Sequence, residues 1–446
     1  MERIVMINRI VRLIMLIGSL SGCAAVNHPS NPNAIDEVKQ EGGYAFSSSY
    51  HEDSQISVIL AFSGGGTRAA ALSYGVLKQL NDTQIMVNGE PRSLLSEVDV
   101  ISSVSGGSFT AAYYGLYQDK IFSEYEESFL KRDVKDDLLS KLLSPSRWFS
   151  ALGRTDLAND YYEEEIFGQK TFSDIDTKTA PYIIINASDI TTGVRFSFIQ
   201  EYFNVLCSDV SQFPISKAVT ASSAVPVLFE PVVLENYQGC ETNDYTSMGQ
   251  ISLNELSFRS KKAVQNIREY NDKEKNRYIH LVDGGITDNL GLLAIYDLLE
   301  IGDFHMKMEY SGQSQHHIMV ISVDASTEPE LGIGQSVDFP TVAQTLNSIT
   351  DIQLHRYNDA TKALFIDSME QWASEASNGN VEVIPHFIQV GFDYTKDPIA
   401  RQRFNQVPTD LTIDANTVDA IIYEGQTQLK DNQTYQAVVE RLVSLP

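Results

Sequence analysis

The 446-residue chain has the composition of an ordinary globular protein, with 43% hydrophobic and 21% charged residues. This mix excludes wholesale disorder, collagen and coiled coil. Aspartate and glutamate total 59 against 33 lysines and arginines, which gives a formal net charge of -26. Phosphate backbones repel a chain this acidic, so the composition argues against nucleic acid as a partner. Three cysteines are too few for a disulfide scaffold.

The N-terminal segment has the pattern of a secretory leader. Three arginines accompany a short, mostly apolar run over residues 13–20, which is too short to span a bilayer of roughly 30 Å as a helix. The segment ends in the sequence LSGC, which resembles the lipobox of bacterial lipoproteins, whose cysteine is lipidated. The resemblance implies a signal peptide over residues 1–22, a lipid anchor on Cys23 and a location in the bacterial envelope, at the outer membrane facing the periplasm. An ordinary secretory signal with a chance cysteine is the alternative.

Residues 23–54 are rich in Asn, Pro, Ser and Gly, and we expect them to carry the lipidated cysteine and a flexible tether. One folded domain is expected over residues 55–446, with its motifs within 56–300 and a C-terminal extension over 301–446. In an oxidising periplasm, Cys207 and Cys240 can form a disulfide, and two separate buried thiols are the alternative.

Short apolar runs alternate with helical periodicity from residue 55 onward. The run at residues 58–62 is typical of buried parallel strands, and further strands are expected at residues 98–104, 182–187, 278–283, 318–324 and 387–392. Helices are expected at residues 69–80, 109–117, 214–221, 289–300 and 418–429. Strands separated by helices imply βαβ units, so the sequence predicts an α/β fold with a mostly parallel central sheet covered on both faces. Residues 120–180 are expected to form a helical insertion, and residues 241–277 a polar surface excursion.

Three consecutive glycines, Gly64, Gly65 and Gly66, link the first expected strand to the first expected helix. Glycine permits positive φ and close approach of a ligand to the main chain. Amide groups beside a helix N-terminus bind negative charge, so the turn suits either a phosphate or the oxyanion of an acyl-transfer intermediate. A P-loop is disfavoured because no Gly-Lys-Ser/Thr follows. A tight turn without a ligand is the third interpretation.

Ser105 lies where the second expected strand turns into a helix. A nucleophile elbow needs small neighbours, in the usual pattern Gly-x-Ser-x-Gly. Here Ser103 replaces the first glycine, and the N–H of Gly106 is a further possible oxyanion donor. Ser102, Ser103 and Ser108 are rival nucleophiles, but only Ser105 occupies the central position of the elbow.

Asp283 ends the expected strand at residues 278–283 and is followed by two glycines. Ligands of open α/β sheets gather at the carboxyl ends of strands, so this carboxylate can serve Ser105 as a general base. An Asp-Gly turn without chemistry is the plain alternative. A triad in the order Ser, Asp, His would instead require a histidine after Asp283. The histidines that follow it are His305, His316, His317, His355 and His386, and none follows a recognisable catalytic turn.

In this order, the three motifs resemble those of the patatin-like phospholipase family. Residues 63–68 resemble the family's oxyanion block, in which the arginine, here Arg68, supports the loop. Residues 104–108 resemble the nucleophile block and residues 283–285 the block of the dyad aspartate. Residues 221–226 resemble its Ala-Ser-x-Ala-x-Pro stretch. The resemblance covers residues 56–300 and implies a three-layer α/β/α fold.

The resemblance also implies a serine lipid acyl hydrolase of phospholipase A type. Ser105 would attack the ester carbonyl, Asp283 would take its proton without a histidine, and the turn at residues 64–66 would hold the oxyanion. The expected partners are a phospholipid or another acyl ester and the membrane that carries the anchor, with no cofactor and no metal. Two alternatives are a His-dependent carboxylesterase or thioesterase and a catalytically inactive envelope lipoprotein that binds lipid, for which Ser103 is the main support.

Overall fold

The computed structural model describes residues 29–32, 44, 54–142, 153–240, 256–300, 314–328, 337, 339–377 and 381–443. The expected signal peptide, Cys23 and most of the expected tether lie outside these residues. None of the helices in the described ranges is both long and apolar enough to cross a membrane.

Most of the strands form one central sheet. The strands are β1 (Ile56–Phe62), β2 (Gln84–Val87), β3 (Glu90–Ser93), β4 (Val98–Val104), β5 (Tyr182–Asp189), β6 (Arg195–Ser197), β7 (Val232–Glu235), β8 (Tyr278–Asp283), β9 (Gln315–Asp324) and β10 (Glu382–Gly391). The sheet has eight strands in the order β10-β9-β1-β4-β5-β8-β7, with β6 paired to β5. All pairs from β10 to β5 are parallel, whereas β6 and β8 run antiparallel to β5, and β7 runs antiparallel to β8. Strands β2 and β3 form a separate antiparallel hairpin.

Helices flank this sheet. They are α1 (Gly66–Asp82), α2 (Gly106–Tyr117), α3 (Ile121–Tyr125), α4 (Val134–Leu142), α5 (Arg154–Tyr162), α6 (Gln200–Val205), α7 (Ile215–Ser222), α8 (Phe258–Arg268), α9 (Gly285–Asp288), α10 (Leu292–Glu300), α11 (Val342–Ala376), α12 (Pro398–Asn405), α13 (Ala415–Lys430) and α14 (Gln433–Val443). Every residue of β1 and of β4 is buried, as continuous apolar strands covered on both faces require. The predicted α/β/α fold with a mostly parallel sheet is confirmed.

All the strands expected from the sequence are present, but three of them begin earlier than predicted. Strand β1 starts at Ile56, β9 at Gln315 and β10 at Glu382, because polar residues at their N-terminal ends interrupt the apolar run. The β2–β3 hairpin and the short strands β6 and β7 were not expected. Their runs are too short to be distinguished from loops by periodicity.

The C-terminal extension packs into the same hydrophobic core as the sequence motifs. Helix α13 crosses α1 so closely that a Cβ on Gly75 would lie 2.3 Å from the carbonyl oxygen of Ile422. On the other side of the contact, a Cβ on Gly425 would lie 2.7 Å from the carbonyl oxygen of Leu72. The crossing therefore requires glycine on both helices.

A disulfide joins Cys207 and Cys240, whose Cα atoms are 5.6 Å apart. It spans a sequence separation of 33 residues that includes α7 and β7. In the chain-entropy account, closing a loop of this size stabilises the folded state by about 3–4 kcal/mol. We expect the double substitution Cys207→Ser/Cys240→Ser to lower the free energy of unfolding in urea by this amount. Reductant should have the same effect on the wild type and none on the double variant, and a wild-type midpoint that reductant does not change would contradict the prediction.

Candidate active site

Two turns meet at the carboxyl-terminal edge of the sheet. Because β1 and β4 are parallel neighbours, with Phe62 opposite Ser103, the glycine turn after β1 lies beside the serine turn after β4. A Cβ on Gly106 would lie 2.0 Å from the carbonyl oxygen of Gly66, so the two main chains are in direct contact. The sheet register thus brings together two motifs that are distant in sequence.

Ser105 has the backbone conformation of a nucleophile elbow. Its φ is 49° and its ψ is -119°, which is uncommon for a residue with a side chain and is typical of strained functional turns. The Ser105 N–H donates to Oγ of Ser222 at 2.8 Å, and Ser222 in turn donates to the carbonyl oxygen of Asn186 at 2.6 Å. These bonds hold the turn in its strained conformation.

The rival serines are all hydrogen-bonded within the scaffold. Ser102 donates to the carbonyl oxygen of Gly291 at 2.7 Å, and Ser103 donates to that of Ile184 at 3.2 Å. Ser108 shares a 3.0 Å hydrogen bond with Ser222. All three are fully buried. The bond from Ser103 to β5 also explains how this elbow accepts serine where glycine is usual.

Asp283 lies within hydrogen-bond distance of the elbow serine. Oγ of Ser105 donates to Oδ2 of Asp283 at 2.8 Å, and the Gly285 N–H donates to Oδ1 at 2.8 Å. Burial raises the pKa of Asp283 to about 6, although these two hydrogen bonds act to lower it. The carboxylate is therefore ionised at neutral pH and basic enough to accept a proton.

The segment at residues 221–226 supports both turns. Besides accepting from the Ser105 N–H, Ser222 accepts the Gly284 N–H at its carbonyl oxygen, at 3.0 Å. The carbonyl oxygen of Ala224 accepts the N–H of Asp283 at 2.9 Å. The sequence showed this stretch only as a family motif, and its role follows from contacts between distant parts of the chain.

The structure narrows the set of oxyanion donors. The Gly64 N–H donates to the carbonyl oxygen of Asn289 at 3.0 Å, so it is not free for a substrate. Gly65 and Gly66 have φ of 136° and 62°, a range in which glycine is favoured. Within the described ranges, the N–H groups of Gly65, Gly66 and Gly106 have no protein acceptor. Gly66 and Gly106 line a cavity together with Ser105, whereas Gly65 does not, so Gly66 is the best placed donor among the expected glycines and Gly106 joins it.

An apolar cavity of about 450 Å³ opens beside these groups. Ser105, Gly66 and Gly106 line one part of it. Its apolar wall includes Phe109, Leu157, Leu228, Phe229 and Leu411. A cavity of this kind suits a hydrocarbon chain whose polar end lies at the serine. The part of the wall at residues 409–411 comes from the C-terminal extension, and the sequence provided no chemical signal for it.

The family follows from the sequence match. Residues 60–296 match the family model "Patatin-like phospholipase", which is more than half of the chain. The chain belongs to the patatin-like phospholipase family.

Solved structures give more distant similarities. The human GIVD cytosolic phospholipase A2 has 12% identity and a TM-score of 0.36, over 86% of this chain and 62% of that one. The same enzyme in complex with methyl gamma-linolenyl fluorophosphonate has 14% identity and a TM-score of 0.36, over 88% and 59%. This patatin-like chain thus spans about three fifths of these solved chains. No curated protein matches it.

The predicted support arginine of this family member, Arg68, is buried on α1. Its Nε donates to the carbonyl oxygen of Ala325 at 2.9 Å, and its Nη1 donates to that of Val407 at 2.8 Å. Burial lowers the pKa of Arg68 to about 10, and the charges of Asp324 and Asp351 partly offset that effect. Arg68 therefore ties the loops after β9 and α12 to the start of α1, next to the glycine turn.

The described histidines that follow Asp283 form hydrogen bonds to residues other than Ser105 and Asp283. His316 bonds to Ser57 at 3.0 Å, and His317 bonds to His386 at 2.9 Å. His317 pairs with the first residue of β1, which places it roughly 20 Å from the carboxyl-terminal edge of the sheet. His355 bonds to the carbonyl oxygen of Thr327. The remaining candidate, at position 305, lies outside the described residues.

Proposed function

We propose that this protein is a serine lipid acyl hydrolase of phospholipase A type, with Ser105 and Asp283 as its catalytic dyad. The observation that carries the proposal is the 2.8 Å hydrogen bond from the elbow serine to a buried carboxylate at an apolar cavity. Membership of the patatin-like phospholipase family supports ester hydrolysis as the chemistry.

The proposed reaction has two acyl-transfer steps. Asp283 accepts the hydroxyl proton as Oγ of Ser105 attacks the ester carbonyl, and the leaving alcohol then takes that proton. The N–H groups of Gly66 and Gly106 stabilise the negative charge on the carbonyl oxygen, each by roughly 3 kcal/mol. Water attacks the acyl-serine with Asp283 again as the base, and the fatty acid is released. The acyl chain lies in the cavity throughout.

A covalent probe and a lipid assay together test this function. The full chain, purified in detergent, is treated with a fluorophosphonate, and the modified residue is mapped by mass spectrometry. In parallel, fatty acid release is measured from phosphatidylcholine vesicles and from p-nitrophenyl butyrate. We expect modification of Ser105 and release from both substrates. A folded protein that neither reacts nor hydrolyses either substrate would favour an inactive lipid-binding protein.

The raised pKa of Asp283 predicts the pH dependence of this activity. Because only the ionised carboxylate accepts a proton, kcat/KM for p-nitrophenyl butyrate should rise with pH, pass its midpoint near pH 6 and level off above it. Burial also raises the pKa of Asp288 to about 6, so the profile of Asp288→Asn serves as the control. We expect the residual activity of that variant to keep the same midpoint, and a midpoint lost with Asp288 would contradict the assignment.

The lipobox at Cys23 supports a lipid-anchored location in the bacterial envelope, at the outer membrane facing the periplasm. Cells that express the full chain are fed a labelled fatty acid, and the chain is compared with Cys23→Ala. We expect label only in the wild type, recovered in the outer-membrane fraction. Equal labelling of both chains, or none in either, would contradict the anchor and leave the proposed chemistry untouched.

A further inference from the structure

Two apolar side chains, Val227 and Leu228, are exposed on the loop that precedes β7 and are here called the apolar apex. Val227 is 89% exposed and Leu228 is 60% exposed, although exposing large apolar side chains to water is unfavourable. Val227 also has a φ of 76°, a conformation that β-branched residues rarely adopt. A strained backbone that holds an apolar side chain in solvent indicates a contact outside the folded chain.

The apex continues into the cavity that contains Ser105. Val225, Leu228 and Phe229 line that cavity whereas Val227 does not, so residues 225–229, here called the rim loop, border its mouth with Val227 outside the lining. Leu228 belongs to both surfaces, because it is exposed and also lines the cavity. Whatever covers Val227 and Leu228 therefore also meets the mouth of the cavity.

At the mouth of the cavity each cationic side chain is paired with one carboxylate, whereas the chain as a whole has a large excess of carboxylates. The chain has a net charge of -26, yet two cationic side chains line the cavity and are about half exposed, Lys135 at 57% and Arg154 at 49%. Lys135 pairs with Asp410 and Arg154 pairs with Glu230. Exposed pairs of this kind contribute little free energy, so a lipid phosphate can replace the carboxylates at low cost.

We propose that the rim loop docks this protein onto a phospholipid surface, with Val227 inserted among the acyl chains and Lys135 and Arg154 at the phosphates. This inference rests on the proposed function. Docking places the mouth of the cavity against the bilayer, so a lipid acyl chain passes from hydrocarbon to the apolar cavity wall without crossing water. The energetic penalty of exposing the apex is then recovered at the surface where the substrate lies.

Kinetics of Val227→Asp against two substrates give the first test. Asp tolerates positive φ better than valine, so this variant should fold. Tyr423→Asp is the matched control, because Tyr423 is 69% exposed. Its neighbour Ile422 contacts α1 at Gly75, about 13 Å along that helix from the cavity residue Gly66.

We expect Val227→Asp to lower hydrolysis of phosphatidylcholine vesicles about tenfold, because the variant loses the burial of one apolar side chain in the bilayer. Hydrolysis of p-nitrophenyl butyrate should stay unchanged. The control variant should keep both rates.

A spectroscopic test does not depend on activity. Val227→Cys and Tyr423→Cys are each labelled with the fluorophore NBD in the full chain, and phosphatidylcholine vesicles containing brominated lipid are added. We expect a blue shift and quenching at position 227 and neither at position 423. The docking proposal would be overturned if the fluorescence at position 227 did not shift. It would also be overturned if Val227→Asp lowered hydrolysis of both substrates equally. Insertion at 227 in a protein that hydrolyses neither substrate would contradict the proposed function alone.

Discussion

Ser105→Ala should abolish both ester hydrolysis and fluorophosphonate labelling, and Asp283→Asn should lower kcat by roughly 10³- to 10⁴-fold. The physical reason is the 2.8 Å hydrogen bond between the two side chains, because an amide can orient the hydroxyl but cannot accept its proton. The double variant should be no less active than Ser105→Ala, since residues that act as a unit give non-additive losses. Rates are measured with p-nitrophenyl butyrate, a substrate that needs no lipid surface.

The stability of Asp283→Asn provides a control for its loss of activity. The pKa of Asp283 is about 6 in the folded protein, against an ordinary value of 3.8, so the folded state binds this proton more tightly than the unfolded chain does. The ionised carboxylate therefore destabilises the folded state at neutral pH, and this loss is removed as the pH falls below 6. We expect Asp283→Asn to unfold at pH 7.5 at no lower urea concentration than the wild type. Activity that survives in this variant would point to a histidine base instead.

A second control concerns the departure from the usual elbow pattern. Ser103→Gly restores the glycine, and it removes only the hydrogen bond from this side chain to Ile184. We expect its kcat to stay within about threefold of the wild type, since the bond lies in the scaffold rather than in the cavity. A large increase in the kcat of Ser103→Gly would show that Ser103 limits kcat in the wild type.

Among the single substitutions, the largest loss of stability is expected from Gly75→Leu. The new side chain has no room, because its Cβ alone would lie 2.3 Å from the carbonyl oxygen of Ile422 on α13. Separating the two helices would leave voids in the core that they share, and we expect the free energy of unfolding in urea to fall by at least about 3 kcal/mol. Asp82→Leu introduces the same side chain at an exposed position of α1 and should change stability by less than about 0.5 kcal/mol.

This variant also tests whether the C-terminal extension is required for folding. Helix α13 lies outside residues 60–296, which match the family model. If Gly75→Leu kept wild-type stability, α13 would be dispensable to the core. Gly425→Leu should lower the free energy of unfolding as well. If the variant that combines both substitutions loses less than the sum of the two single losses, both glycines serve a single contact.

The local signals in this sequence are strong where a buried strand meets a turn. Residues 98–104 and 278–283 were predicted with the bounds that the structure has, because continuous apolar runs end there at small residues. The positions of Ser105 and Asp283 at strand ends follow from those elements. Their closeness does not, because β5 lies between β4 and β8 and β8 runs antiparallel to β5. The supporting roles of Ser222 and Asn289 could not be predicted, because they depend on hydrogen bonds between segments that are far apart in the chain.

Long-range contacts likewise determine the parts of the cavity that the sequence did not indicate. Residues 409–411 are polar or ordinary in their local context, and only the packing of the C-terminal extension places them beside Gly66. The hydrogen bond from the Gly64 N–H to the carbonyl oxygen of Asn289 is a further example of such a contact. A glycine run indicates a tight turn, but not which of its amides faces the substrate.

In the proposed reaction, the contact between the cavity wall and the glycine turn links acyl-chain preference to kcat. The carbonyl oxygen of Asp410 accepts the Thr67 N–H at 2.9 Å, and a Cβ on Gly66 would lie only 2.4 Å from that oxygen. Substitutions at residues 409–411 that reshape the cavity for longer or shorter acyl chains therefore also move the main chain at Gly66. In the divergence of this lineage, chain-length preference and catalytic rate would not change independently, and new specificities would require compensating changes in the first turn of α1.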